Sequence, residues 1–226
     1  VSDETGVIAN LSSSAVTIGT ETVAAGTVRD GFGDTDTLVS IESIRSSLHD
    51  DVLIGSDEDN SFRIEGGNNI INGGTGTDRV DYRTRQAGSV TVDLSTGTAT
   101  NALGGSDTLS SIEDVRGSRF DDLITGDSND NYLDARMGDD IIYGGEGNDV
   151  FVTVDGGKGH VKIMDFETGD SIKFCGCPST ILEQRGDDVW VIKRDDVKAV
   201  IKNFDADDLD IDFDSRLITV VTDSLA

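Results

Sequence analysis

A run of nine-residue units constrains this chain more tightly than any other feature. From Gly117 the sequence reads GSRFDDLIT, GDSNDNYLD, ARMGDDIIY and GGEGNDVFV, ending at Val152. The sixth residue of each unit is Asp122, Asn131, Asp140 or Asp149, and the eighth is Ile124, Leu133, Ile142 or Phe151. An amphipathic helix needs apolar residues three and four apart, which one apolar position per unit does not supply. A short strand alternating with a polar turn fits: the eighth side chain points inward from the strand, and glycines free the turn. No single unit buries enough to stand alone, so the units must stack.

A second tract lies upstream, SSLHDDVLI, GSDEDNSFR, IEGGNNIIN and GGTGTDRVD, beginning at Ser46. Its sixth positions are Asp51, Asn60, Asn69 and Asp78; its eighth are Leu53, Phe62, Ile71 and Val80. Aligned without gaps, residues 36–80 and 107–151 share 20 identities over 45 positions, which is an internal duplication. It extends beyond the tracts. DTLVSIESIRSS at Asp36 matches DTLSSIEDVRGS at Asp107, and GVIANLSSSAV at Gly6 loosely matches SVTVDLSTGTA at Ser89, with about 12 extra residues in the first copy. Each repeat is thus a strand-turn-strand lead-in, a DTLxSIExxR linker and a tract.

Two units complete one coil, so each stacks on the one eighteen residues later. The expected fold is all-β: a right-handed parallel β-roll of duplicated nonapeptide tracts with a C-terminal antiparallel cap. The expected divisions are 1–81 for the first, degenerate roll unit, 82–152 for the better-preserved second unit and 153–226 for the cap. Stacking places Asp122 over Asp140, Asn131 over Asp149, Asp51 by Asn69 and Asn60 by Asp78. Paired carboxylates without a cation repel. With backbone carbonyls of the glycine-rich turns they make an all-oxygen cage that suits Ca²⁺ better than Mg²⁺ or a transition metal. The alternative is that Asp and Asn hold these turns by bonding their own backbone, with no metal.

In GGEGNDVFV, and nearly in GGTGTDRVD, the chain resembles the RTX, or haemolysin-type calcium-binding repeat, family, whose pattern is G-G-x-G-x-D followed by x-apolar-x. The other six units are degenerate. The resemblance implies carboxylate ligands at Asp122, Asp140 and Asp149, with Asn131 facing Asp149. It also implies backbone oxygens from turn positions such as Gly126, Gly138, Gly145 and Gly147. In the first tract, Asp51 and Asp78 each face an asparagine, so weaker or empty sites are expected there. Among RTX proteins a type I secretion signal lies at the C-terminus, and DSRLITVVTDSLA from Asp214 reads equally as such a signal or as an ordinary last strand.

Charge points the same way. The 44 acidic and 18 basic residues leave a formal charge of -26, self-repulsion that opposes a compact state until counter-charge is supplied. Nucleic acid and anionic membranes are poor partners for such a chain, and no apolar run reaches the ~18 residues that span a bilayer. The opening VSDETGVIAN lacks an initiator Met and a signal-peptide pattern, and reads as a piece of a longer protein. Cys175 and Cys177 are too close for an easy disulfide and too few for a closed zinc site. They read as small apolar residues or an oxidisable pair.

After Val152 the period breaks. In DGGKGHVKIMDFETGDSIKF, His160 and Val161 stand where the aspartate would fall, and His160 reads as a surface turn residue rather than a ligand. DDVWVIKRDDVKAVIKNF alternates as an antiparallel hairpin turning near Asp195 and Asp196, with either Trp190 and Ile192 or Val189 and Val191 packing inward. Placed at the end of the roll, it would cover open edges. No HExxH, GxSxG or Walker pattern occurs, so no catalytic residue is expected. The lone proline, Pro178, follows Cys177, which rules out the Asp-Pro self-cleavage of some RTX relatives. The expected function is a calcium-dependent folding module of a larger secreted or surface protein of bacterial type. The alternatives are a surface-layer, adhesin or glycan-binding segment, or an accessory module of a secreted carbohydrate-active enzyme or hydrolase.

Overall fold

The computed structural model describes residues 5–83, 88–153, 158–174 and 179–221; Cys175, Cys177 and the last five residues lie outside them. The chain divides into two compact units, Val1–Arg116 and Gly117–Ala226. Regular structure is almost wholly β, with a single 3-10 turn at Ala206–Asp208 among the described residues. No helix is long and apolar enough to cross a membrane.

In the first unit, two sets of short strands run parallel, all of three residues except the five-residue Ser106–Ser110. One joins Ile8–Asn10, Val52–Ile54, Ile70–Asn72 and Ser106–Ser110; the other joins Ser43–Arg45, Ser61–Arg63, Arg79–Asp81 and Asp114–Arg116. Val52 pairs with Ile70 and Ser43 with Ser61, so the stacking step is two nonapeptides. The lead-ins are antiparallel. Ile8–Asn10 pairs with Thr27–Arg29 and that with Thr35–Thr37, matching Thr91–Asp93, Thr98–Thr100 and Ser106–Ser110 in the second copy. The extra residues of the first copy form the hairpin Val16–Ile18 and Glu21–Val23. The Asn10 amide anchors it by donating to the carbonyls of Ser14, Val23 and Ala24.

In the second unit, Leu123–Thr125, Gly138–Tyr143, Gly159–Ile163 and Asp196–Ile201 run parallel, as do Tyr132–Asp134, Val150–Val152 and Ser171–Lys173. Both sets then change direction. Asp196–Ile201 turns back onto Asp188–Lys193 and Thr180–Arg185, while Ser171–Lys173 receives the antiparallel pair Leu217–Val220 and Leu209–Asp212. The expected hairpin therefore exists and carries a third strand. Its turn is Arg194-Asp195, both with positive φ (51° and 65°). Val189 and Val191 face inward, and a bulge between Val191 and Ile192 buries Ile192 as well. Trp190 instead lies under the Arg185 guanidinium, 4.3 Å from its ring centroid.

The core is the column of eighth positions. Leu53, Phe62, Ile71, Val80, Ile124, Leu133, Ile142 and Phe151 are each 0% exposed. Phe151 continues into Phe166 and Phe204, ring against ring, which extends the column to the end of the roll.

Candidate metal sites in the turns

The sixth residue lies directly before a strand in seven of the eight units, and Asp140 lies within the strand Gly138–Tyr143, so stacked strands carry the sixth positions into vertical rows. All four expected pairs form. The Asp122 amide donates to Asp140 Oδ1 (2.9 Å), Asn131 to Asp149 Oδ1 (2.8 Å), Asp51 to Asn69 Oδ1 (3.0 Å) and Asn60 to Asp78 Oδ1 (2.7 Å). One oxygen of each upper side chain is thus spent on the backbone of the coil below. A second row lies at the fifth position: Asp50, Asp59, Asp121 and Asp130 accept from the amides of Asn68, Thr77, Asp139 and Asn148.

The other oxygen separates seven of the eight turns into two kinds; the eighth, from Ile64, has a positive φ only at its fourth residue, Gly67. In the turns that begin Ser-Ser, Gly-Ser or Gly-Asp, the second residue satisfies the sixth. Ser47 donates its amide and hydroxyl to Asp51, Ser118 does the same to Asp122, and the Ser56 and Asp127 amides donate to Asn60 and Asn131. None of these turns has a positive φ among its described residues. The turns from Gly73, Ala135 and Gly144 adopt a different path, with positive φ at the second and fourth positions: Gly74 and Gly76, Arg136 and Gly138, Gly145 and Gly147. In these three the second carboxylate oxygen, Oδ2 of Asp78, Asp140 or Asp149, is buried and accepts no hydrogen bond. Arg136 holds a left-handed conformation that suits glycine, so stacking imposes this turn even where the sequence has drifted.

Burial without a partner leaves these carboxyls hard to ionise. Asp140 is pushed up to about 7, first by burial and then by Asp122, Asp121 and Asp139 nearby, against the stabilising Asp122 amide. Asp149 is also pushed up to about 7, by burial and the carboxylates of Asp170, Asp165 and Asp130. Asp78 rises to about 6, by burial with Glu113, Asp59 and Asp114. The backbone closes tightly beside two of these oxygens. A Cβ on Gly144 would lie 2.3 Å from Asp149 Oδ2, and one on Gly73 2.4 Å from Asp78 Oδ2.

Gly126 lies close against the next turn: a Cβ there would meet the Gly144 carbonyl oxygen at 2.1 Å. His160 is a strand residue paired with Asp139, not a turn residue, and its Nδ1 lies 2.9 Å from the Asp139 carboxylate. Val161 aligns with Asp140, so the row above Asp140 ends in an apolar residue. The sequence reading missed three acids that continue the rows at irregular spacing. Asp107 accepts from Asn69, Glu113 from Asp78 and Asp170 from Asp149. Their signal was an acid two residues before a buried apolar residue, as in Asp107 and Leu109, Glu113 and Val115, Asp170 and Ile172. Asp107 is saturated by Asn69, Asn101 and the buried Tyr82 hydroxyl. Asp165 clamps the last turn, accepting the amides of Gly144 and Gly145.

Among the described residues no three His, Cys, Asp or Glu side chains converge on one point. A cation in these turns would take one or two carboxylates and draw its remaining oxygens from backbone. That donor set is hard and all-oxygen, and the three partnerless Oδ2 atoms fit it.

Stacked strands with acid-bearing glycine turns between them define a class, the parallel β-roll with oxygen-lined turns. Within that class, residues 47–80 and 115–151 match the RTX calcium-binding nonapeptide repeat (4 copies), a family that binds Ca²⁺. No curated protein matches the chain. Among solved structures, the chain is similar to the extracellular lipase LipA from Serratia marcescens. The two are 17% identical with a TM-score of 0.35, over 78% of this chain and 39% of that one. The chain thus spans well under half that lipase's length.

Proposed function

We propose that this chain is the calcium-conditional folding module of a larger secreted or surface protein, with cations held at Asp78, Asp140 and Asp149. The observation that carries this reading is the set of three buried, partnerless Oδ2 atoms, each in a turn with left-handed second and fourth positions. Turn backbone at Gly138, Gly145 and Gly147, and at Gly74 and Gly76, would complete the coordination. Asp51 and Asp122 are closed by Ser47 and Ser118, so their turns hold without metal.

At the low Ca²⁺ of a cytoplasm, three buried acids and the formal charge of -26 favour the open chain. At about millimolar Ca²⁺ outside, a site with Kd near 0.1 mM adds roughly 1–2 kcal/mol, and a few such sites decide the fold. Export in the open state and folding on arrival follow from that difference, and the module itself is non-catalytic. Far-UV circular dichroism during a Ca²⁺ titration of the chelated protein tests this. Gain of strand signal is expected. Full strand content in chelator, unchanged by Ca²⁺, would overturn it.

A further inference from the structure

The duplication gives two copies of the DTLxSIExxR linker within the first compact unit, and they differ in what covers them. In the second copy the linker lies against the tract before it. Ser106–Ser110 pairs in parallel with Ile70–Asn72, and Asp114–Arg116 with Arg79–Asp81. The amides of Thr108, Glu113 and Asp114 donate to the carbonyls of Asn69 and Asp78, while Asp107 and Glu113 accept the amides of Asn69 and Asp78. Under that cover Ile112 is 4% exposed, Leu109 5% and Asp107 1%.

The first copy has the same local structure and no such cover. Ser40 and Ser111 share a positive φ (52° and 51°), and Leu38 donates to the Gly26 carbonyl as Leu109 does to Gly97. Thr35–Thr37 and Ser43–Arg45 are each the last strand of their sets. Ile41, the counterpart of Ile112, is 39% exposed, Val39 beside it is 77% exposed, and Asp36, the counterpart of Asp107, is exposed. Two adjacent strand edges, an apolar face and Asp36 thus remain open, and Glu42, whose Oε2 accepts from Asn60 and Ser56, is exposed beside them.

We propose that the face formed by Thr35–Arg45 is a docking surface for the last coil of one more nonapeptide tract, a further unit of this same repeat joined upstream. Its strands would pair in parallel with Thr35–Thr37 and Ser43–Arg45. Its last two sixth-position amides would donate to Asp36 and Glu42, and its coil would cover Leu38 and Ile41. A hairpin cap would not reproduce these bonds, because both edges face a parallel partner in the copy that is covered. The inference rests on the duplication and the strand pairing, and stands whether or not the turns hold calcium.

The test fuses a second copy of residues 46–83 ahead of Val1, which reproduces the native spacing from a tract to Val90. Hydrogen exchange in the unextended protein is expected to be fast at Thr37, Glu42 and Ser43 and slow at Thr108, Glu113 and Asp114. In the extended chain the first three should slow by about 100-fold or more, as groups within a cooperative unit do. Ile41→Asp should leave the unextended protein's unfolding midpoint in place and lower that of the extended chain, whereas Ile112→Asp should lower both. Three results would overturn the proposal: unchanged exchange at Thr37, Glu42 and Ser43 beside a folded added tract; an added tract that stays unstructured; or self-association of the unextended chain that Ile41→Asp abolishes, which would make a second copy the occupant. Failure of the calcium titration would leave all of these readouts unaffected.

Discussion

One turn residue separates Asp122 from Asp140. Both are buried sixth-position carboxylates in the same row, but Ser118 bonds both oxygens of Asp122, its hydroxyl to Oδ1 and its amide to Oδ2, and nothing fills Oδ2 of Asp140. Leaving a buried acceptor unpaired costs about 1–3 kcal/mol, so the two residues respond oppositely to substitution. Asp140→Asn and Asp149→Asn are expected to stabilise the metal-free chain, because a carboxylate that resists ionisation is replaced by a neutral group. Each should also remove one site's share of calcium stabilisation, about 2.7 kcal/mol when free Ca²⁺ is a hundredfold above Kd. Ser118→Ala should cost about 1 kcal/mol with and without calcium, since it removes a bond that metal does not replace. Paired thermal melts in chelator and in Ca²⁺ read all three variants. A calcium-dependent loss in Ser118→Ala equal to that of Asp140→Asn would show that Asp122 holds the metal instead. The sequence carried the sixth-position aspartates in plain view. It did not carry this distinction, because a serine at the second position looks like decay of the glycine pattern until its amide and hydroxyl are seen on the carboxylate.

At the level of strands and turns, the period alone placed the eighth-position core of the tracts, since a three-residue strand with one inward side chain leaves no choice of register; Ile64 and Ala135, buried at first positions, it did not place. The irregular joins were harder to read. Asp107, Glu113 and Asp170 sit 38, 35 and 21 residues from their row partners, because lead-in strands or a longer turn intervene. For the same reason the sequence boundary near residue 82 and the compact-unit boundary after Arg116 differ: the second linker pairs back onto the first tract. Two predictions belong here. Gly144→Ala pushes a methyl to within 2.3 Å of Asp149 Oδ2 and should weaken calcium binding at the last turn without abolishing it, since Ala135 holds the same position in the Asp140 turn; isothermal titration reads the change in affinity. In the cap, Arg194 and Asp195 both occupy a left-handed conformation that Asn-Gly adopts readily. The double change Arg194→Asn with Asp195→Gly is expected to stabilise the protein by about 1 kcal/mol in denaturant unfolding, and a loss of stability would mean their side chains hold the cap.

Across the whole molecule, protons and calcium compete for the same carboxylates, and this fixes how stability depends on pH. Asp78, Asp140 and Asp149 titrate near 6, 7 and 7 when folded without metal, against about 4 in an unfolded chain. Between pH 4 and 7 the folded form therefore binds more protons than the unfolded form. Their contribution is complete below about pH 4 and is lost as pH rises through 7. Metal-free protein, stripped on a chelating resin, should melt at progressively higher temperature as pH falls from 8 to 5. With calcium present the slope reverses in sign for these sites, because bound metal needs the ionised carboxylate and protonation expels it. General relief of the negative charge would also raise the metal-free melting point on acidification. The triple variant D78N/D140N/D149N separates the two effects: it should flatten the metal-free slope between pH 5 and 7 and abolish the calcium response, while leaving the remaining carboxylates free to titrate. A triple variant whose slope matches the parent would place the pH response in overall charge, and would remove these three turns from the set of buried, proton-binding sites.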